Sequence, residues 1–549
     1  MNIVQTKSTS KKGKQYGATL LRESYREGGK VKNRTIANLS HCKPQEIEAI
    51  RLALKYRDDL TVLGSFKESV ELKEGPSLGA VWTAYAMARE LGIERALGTD
   101  RAGKLALWQV IARVVGQGSR LSATRLAQTT AGCDVLGIRE GFDENSLYDN
   151  LGWLAANQEK IEQRLMTIRG KGATPQLFLY DVTSSYLEGE SNELGAWGYN
   201  RDKKKGKKQL VVGLLCDEMG YAITVEVFAG NTNDVSTFKS QVEKAAARYG
   251  CQQVTFVGDR GMIKSGQIED LKAAGYHYIT AITKAQIRTL IREGTFQLSL
   301  FEEKLCEVLD EGVRYVLRRN PHRADEIAAN RQGKQSNIEA AVATMNKQLE
   351  AKPKASVEIR VKRVKEKIAK LKVEKWLSVK AYGRRLELVK DEEALRRESE
   401  LDGCYSLKSD LPGELASLEI IHERYKDLAK VEQAFRTSKS GPLEIRPWFV
   451  RTEESTRGHA LVVMLGYLIV LKLQKAWANS DVTVREGLNQ LASLSVIEMT
   501  IKDGGSFHRI PTPRERSAEL LKAAGIQMPT VLPNLGANVV TRKILKRKT

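Results

Sequence analysis

The sequence predicts an α/β protein. A mostly helical N-terminal region leads into a central sheet whose elements run β–β–β–α–β–α–β, and a strand-rich subdomain is inserted before the last helices. Three observations carry this reading. QLFLYDVTSSY, residues 176–186, is a near-continuous run of strand formers, the pattern of a central strand covered on both faces. Before it the apolar spacing is largely helical, and after it strand and helix patterns alternate up to residue 283. Between 284 and 411 short strand patterns surround two charged helical stretches, which reads as an insertion.

At 549 residues and 42% hydrophobic content, the chain is long enough for several domains with real cores. Lys and Arg outnumber Asp and Glu by 88 to 67, a formal +21, and this excess calls for a polyanionic partner, nucleic acid first. The charge is clustered in Lys203–Lys205, Lys207–Lys208, the 352–375 stretch and the tail RKILKRK, as binding surfaces require. The six cysteines lie far apart, with no C-x-x-C pair and no nearby histidine at zinc spacing, so neither a disulfide framework nor a zinc site follows. The N-terminus lacks a signal-peptide core, and the longest apolar run, Ala460 to Leu471, is too short to cross ~30 Å of hydrocarbon. A cytoplasmic protein with no membrane partner is expected.

Residues 1–60 read as a β-hairpin, YGATLLRESYRE and KVKNRTIANL turning at Gly28–Gly29, then the helix PQEIEAIRLALKYRDDL. Residues 61–172 read as a helical DNA-binding region. Its helices near 104–117 and 122–130 have helix-turn-helix spacing, which all-α cores also use. Residues 173–283 form the first part of the core. The strand with Asp181 is followed by strands 209–216 and 221–228 around Glu218-Met219-Gly220, a helix, a short strand ending at Asp259, a helix and the strand YHYITAI. Residues 284–411 are the inserted subdomain. Residues 412–480 return to the core with one helix from about 411 to 440, stopped by Gly441-Pro442, and an apolar helix opened by His459, read as a structural histidine. Residues 481–549 are a C-terminal extension, and the prolines of its final segment, 505–549, point to loose order.

In the helix over 411–440, Leu418, Ile421, Tyr425, Leu428 and Phe435 follow an a/d-like spacing, and Glu432 holds the position that continues the series. A lone glutamate there can reach solvent by its methylenes. Asp181 and Asp259, which interrupt apolar strands, give it a second meaning. A buried carboxylate costs several kcal/mol unless it is paired or binds a cation. Arg260 can pair with Asp259, but Asp181 has no basic neighbour in sequence. Acidic groups gathered from different elements are what a hard divalent cation needs.

Tyr425, Glu432 and Lys439 match the Tyr-x2-Arg-x3-Glu-x6-Lys signature of bacterial insertion-sequence transposases of the insertion-sequence-four type. VEQAFRTSKSGPLEIRPWF resembles the segment around their catalytic glutamate. YDVTSSY, FAGNTND (with Asn231 and Asp234) and GDRGM resemble the blocks around their two aspartates. The resemblance covers roughly 175–475 and implies a ribonuclease-H-like catalytic core. It further implies a triad of Asp181, Asp259 and Glu432 holding two Mg²⁺ (or Mn²⁺) ions. The activity implied is cut-and-paste transposition: binding of the element's ends, cleavage of phosphodiesters, and joining of 3′-hydroxyls to target DNA, with hairpin ends as one route. Double-stranded DNA is the implied partner, bound by a homodimer.

The DNA contacts expected on this basis are Tyr425, Lys439, Arg436, Lys204, Lys207 and Arg260. Trp376, the only tryptophan of the insertion, is either a core residue or a stacking site for an extruded base. Leu428 stands where the signature has arginine, and Lys426, Lys430 and Arg436 lie on other faces. Two rival readings remain: a ribonuclease-H-like nuclease or resolvase that cuts without joining, and a non-catalytic DNA-binding protein derived from a transposase.

Overall fold

The computed structural model describes all residues except 10–14, 58–69, 171–175, 250–253, 441–442, 447, 502–504, 534 and 544–549. The expected stop at Gly441-Pro442 and most of the RKILKRK tail therefore lie outside the described residues. The chain divides into two units, one of 1–77, 494–513 and 528–534, the other of 78–493, 514–527 and 535–549.

In the first unit, β1 (Asn2–Thr9), β2 (Gln15–Glu27) and β3 (Lys30–Asn38) form an antiparallel sheet in that order, followed by α1 (Pro44–Lys55). Gly28 and Gly29 turn β2 into β3 at φ +62° and +76°, the left-handed pair that a two-residue hairpin requires. The sequence reading missed β1, which pairs along its whole length with β2. Strand β4 (Val70–Ser77) pairs with Ser495–Ile501, which in turn pairs with Gly505–Arg509. The 61–172 region is thus not helical throughout, and the final segment from 505 on is not loose where Gly505–Arg509 is paired. Strands whose partners are so distant in sequence leave little trace in local periodicity.

The second unit opens with α2 (Gly79–Glu90), α3 (Ile93–Leu97), α4 (Arg101–Gly116), α5 (Arg120–Thr129), α6 (Gly132–Leu136) and α7 (Glu144–Gly170). Helix α4 buries most of its residues from Gly103 to Val114, so the α4–α5 pair is a core element rather than a free reading head. Then come β5 (Leu177–Tyr186), β6 (Gln209–Cys216), β7 (Ala222–Ala229), α8 (Asp234–Tyr249), β8 (Thr255–Gly258), α9 (Ser265–Ala273) and β9 (His277–Ala281), in the order expected. β5 runs antiparallel to β6 and parallel to β8, and β8 parallel to β9. Phe178, Tyr180, Phe238 and Phe256 fill the core between the sheet and α8.

The insertion is two structures. After α10 (Lys284–Arg292), strands β10 (Cys306–Asp310) and β11 (Val313–Arg319) join β14 (Cys404–Ser409), and β14 pairs with β9. These three strands extend the sheet, whose full order is β10-β11-β14-β9-β8-β5-β6-β7. Between them, α11 (Pro321–Ala351), α12 (Val357–Leu371), the hairpin β12 (Leu377–Tyr382) and β13 (Arg385–Lys390), and α13 (Glu392–Ser399) surround a separate core of Ile338, Val364, Ile368, Trp376 and Leu386.

The glutamate-bearing segment is not one helix from 411. α14 (Leu418–Lys426) starts where the Ser417 hydroxyl accepts the Ile420 N–H, the chain breaks at Asp427, and α15 (Leu428–Ser440) follows. α16 (Glu453–Ala476) is, by length and composition, apolar enough to cross a membrane, but 83% of its most apolar window is buried inside the protein. After α17 (Val484–Ala492) and α18 (Glu515–Ala523), residues 535–543 are also held: Val539 bridges to Phe142, and the Glu144 carboxylate accepts the backbone N–H groups of Arg542 and Lys543.

Candidate active site

Strand β8 reaches only to Gly258, which lies opposite Tyr180 of β5. Asp181 is the next residue on β5, and Asp259 is the first residue after β8. Two parallel neighbours therefore deliver their carboxylates at one level, where the shorter strand ends. The backbone N–H groups of Val182 and Arg260 each donate to the preceding aspartate at 2.8 Å.

Helix α15 packs on β5 and buries Val431, Ala434 and Phe435. Glu432 is exposed beside them, so Val431 and not Glu432 fills the core position that the a/d spacing implied. The glutamate is thereby released to the carboxylate side. Burial pushes the Asp181 carboxyl up to about 7; the Val182 N–H and the Arg201 guanidinium oppose the rise, and the nearby charges of Asp259 and Glu432 add to it. Tyr425, half-buried at the end of α14, donates its hydroxyl to Asp259. Burial, that carboxylate and Glu432 together hold its phenol well above the usual range.

Beyond Gly258, β5 has no β8 alongside, and its edge carbonyls need other partners. Arg201 donates to the Val182 carbonyl and pairs with Asp234 at 2.6 Å. Lys439 donates to the Ser184 carbonyl and lies 3.2 Å from Asp202, which also pairs with Arg446. The Trp448 N–H donates to the Tyr186 carbonyl at 3.3 Å, and the Tyr186 N–H donates to Asp202 at 3.1 Å. Arg201, Asp202 and Arg446 were missed in the sequence, because nothing local marks the end of a neighbouring strand.

The expected DNA contacts fare unevenly. Lys439 is 11% exposed and committed to Ser184 and Asp202, so it braces the strand instead of presenting a free charge to phosphate. Trp376 is 3% exposed in the core of the insertion, leaving no free face for a base. Lys207 pairs with Glu188 at 2.7 Å, and Lys204 is exposed, its ammonium 5.6 Å from the centre of the Tyr186 ring. Arg260 and Arg436 are exposed, the latter bonded to Gln433 at 3.3 Å. Lys430 is engaged with Asp427 and the Glu218 carbonyl, away from the position of the missing signature arginine. His459 is buried against Arg120, at 3.0 Å, and Trp448, as a structural histidine would be.

Among the described residues, no group of three or more His, Cys, Asp or Glu side chains is arranged to hold a metal ion. The donors nevertheless suit a hard cation: all are carboxylate oxygens, two of the three residues are open to solvent, and their mutual repulsion is only partly offset by Arg201. Like charges without a counter-ion hold one another apart, and a cation would draw them together.

Residues 172–469, more than half the chain, match the family profile of the transposase DDE domain, and residues 4–61 match that of the IS1634 family transposase, N-terminal domain. No curated protein matches the chain. Among solved structures, the piggyBac transposase synaptic complex with hairpin DNA is 9% identical over 81% of this chain and 75% of that one, with a TM-score of 0.34. The Mos1 transposase paired-end complex with left transposon end is 10% identical over 33% of this chain and 58% of that one, with a TM-score of 0.14. Likenesses of that size have no bearing on the site.

Proposed function

This chain belongs to the family of the transposase DDE domain and is an insertion-sequence transposase, an enzyme acting on DNA; from that premise we propose that Asp181, Asp259 and Glu432 are its catalytic triad. The reading extends to cut-and-paste transposition of the insertion-sequence-four type, by a homodimer working in the cytoplasm on two element ends. The observation that carries it is the approach of three carboxylates from β5, the end of β8 and α15, close enough for Asp259 and Glu432 to act on Asp181.

In the first step water attacks the phosphorus at the element end, the bond to the 3′ oxygen breaks, and a 3′-hydroxyl and a 5′-phosphate remain. That hydroxyl then attacks a target phosphodiester, displacing its 3′ oxygen; a hairpin forms if the first target is the opposite strand. Two Mg²⁺ or Mn²⁺ ions, when bound, would be held by Asp181, Asp259 and Glu432 and would supply the charge stabilisation that the attacking and leaving oxygens need. Tyr425 fixes Asp259 through its hydroxyl. Arg201, tied to the Val182 carbonyl and Asp234, steadies the strand at Asp181.

Leu428 leaves the signature arginine without a substitute on the same helix face. Exposed Arg260, Arg436 and Lys204 are the phosphate contacts this reading retains. The test is Asp181→Asn: DNA-end binding is expected to survive while Mg²⁺-dependent nicking disappears, and persistent nicking would remove the triad assignment. Strand transfer from pre-cleaved ends separates a transposase from a nuclease that only cuts.

A further inference from the structure

Two large rings stand open to water beside the C-terminal half of β5: Trp197 is 62% exposed and Tyr199 85%. A single exposed ring is ordinary, but these two sit on tightly held backbone. Ala196 bridges to Gln209, and Gly198 lies so close to the turn after β7 that a Cβ there would collide with the Gly230 carbonyl oxygen. The Ser184 hydroxyl donates to the Tyr199 carbonyl at 3.3 Å and accepts the Arg201 N–H at 2.8 Å. The backbone is thus pinned to the strand that carries Asp181, while the rings keep their faces free. The same segment runs on into Lys203, Lys204 and Lys205, all exposed.

Fixed aromatic faces next to a row of cations suit unpaired nucleobases, which stack on the rings while the lysines meet their phosphates. Intact duplex offers no such faces, since its bases are already stacked. Resting on the reading of Asp181 as part of the cleavage site, we infer that Trp197 and Tyr199 form a stacking site for unpaired DNA bases flanking the cut phosphodiester, with Lys203, Lys204 and Lys205 on the adjoining backbone.

The test uses the full chain in EDTA, with fluorescein-labelled oligothymidylate of about 20 nucleotides and a blunt duplex of the same length as probes. Trp197→Ala and Tyr199→Ala are each expected to weaken oligothymidylate binding about fivefold or more, with duplex binding held within about twofold and the melting temperature unchanged. Trp197→Phe and Tyr199→Phe should retain binding. Replacing Lys203, Lys204 and Lys205 together by Gln should weaken both probes and flatten the salt dependence. Alanine variants that bind oligothymidylate like the natural protein, or that lose both probes equally, overturn the inference. No divalent ion is present, so that outcome leaves the cleavage reading standing; nicking by Asp181→Asn would sink the cleavage reading while leaving the binding data intact.

Discussion

The ammonium of Lys439 lies 3.2 Å from the carboxylate of Asp202 and donates to the Ser184 carbonyl, tying the C-terminal turn of α15 to the strand that bears Asp181. The helix that carries Glu432 is thereby fixed at its far end, two turns beyond the glutamate.

Lys439→Met is therefore expected to act mainly on stability. Arg446 still pairs with Asp202, so the loss is about 1–2 kcal/mol, a few degrees in melting temperature. The salt dependence of DNA binding should hardly change. A drop of about one in the salt slope with an unaltered melting temperature would instead make Lys439 a phosphate contact.

Removing a carboxylate of the proposed triad should separate binding from chemistry. Asp181→Asn and Glu432→Gln are expected to slow Mg²⁺-dependent nicking by about a thousandfold or more, in line with the several kcal/mol such sites supply. Addition of Mg²⁺ should raise the melting temperature of the natural protein and leave that of Asp181→Asn almost unmoved. Equal shifts in both would place the ions elsewhere.

Tyr425→Phe deletes the hydroxyl that Asp259 accepts while keeping the ring's packing. Loss of one such bond to a charged group predicts roughly a tenfold fall in nicking rate, with melting changed little. Single-turnover kinetics on a pre-bound end would measure it, and an unaltered rate would leave Tyr425 a packing residue.

Glu162 of α7 is buried against β7, where it accepts the Thr224 hydroxyl at 2.8 Å, and burial pushes its carboxyl up to about 7. Between pH about 4.5 and about 7 the folded chain keeps a proton that the unfolded chain has released, so this group's contribution to stability falls as pH rises through that window. Glu162→Gln should flatten the decline, measured by urea unfolding at several pH values. Parallel curves for the two proteins would contradict this assignment.

Trp376 packs with Ile338, Leu377 and Leu386 inside the insertion. Trp376→Ala should cost about 3–5 kcal/mol in that subdomain. Trp376→Leu, which keeps an apolar filling without the aromatic face, should retain nicking and end processing. A protein that stays folded but loses processing would restore a stacking role for the ring.

Much of the core could be read in the chain. The uninterrupted apolar run of β5 and the alternation of short strands and helices gave the element order, and single charges inside apolar segments marked Asp181, Asp259 and Glu432. The glutamate was found on a stripe one residue out of phase, since periodicity cannot say which residue next to a buried face meets the core. Ser417 and the break at Asp427 divided a helix whose apolar spacing read as continuous.

The sequence by itself determined which acidic groups were available and which strands and helices would carry them, because both follow from local pattern. Only the tertiary structure decided that β8 stops one residue short of Asp181, that Arg201 and Lys439 take over the β5 carbonyls that β8 does not reach, and that Trp376 goes to a core while Trp197 and Tyr199 stay in water. Those outcomes depend on pairings between segments far apart in the chain, and an unpaired strand edge has no signature in the residues that come to satisfy it.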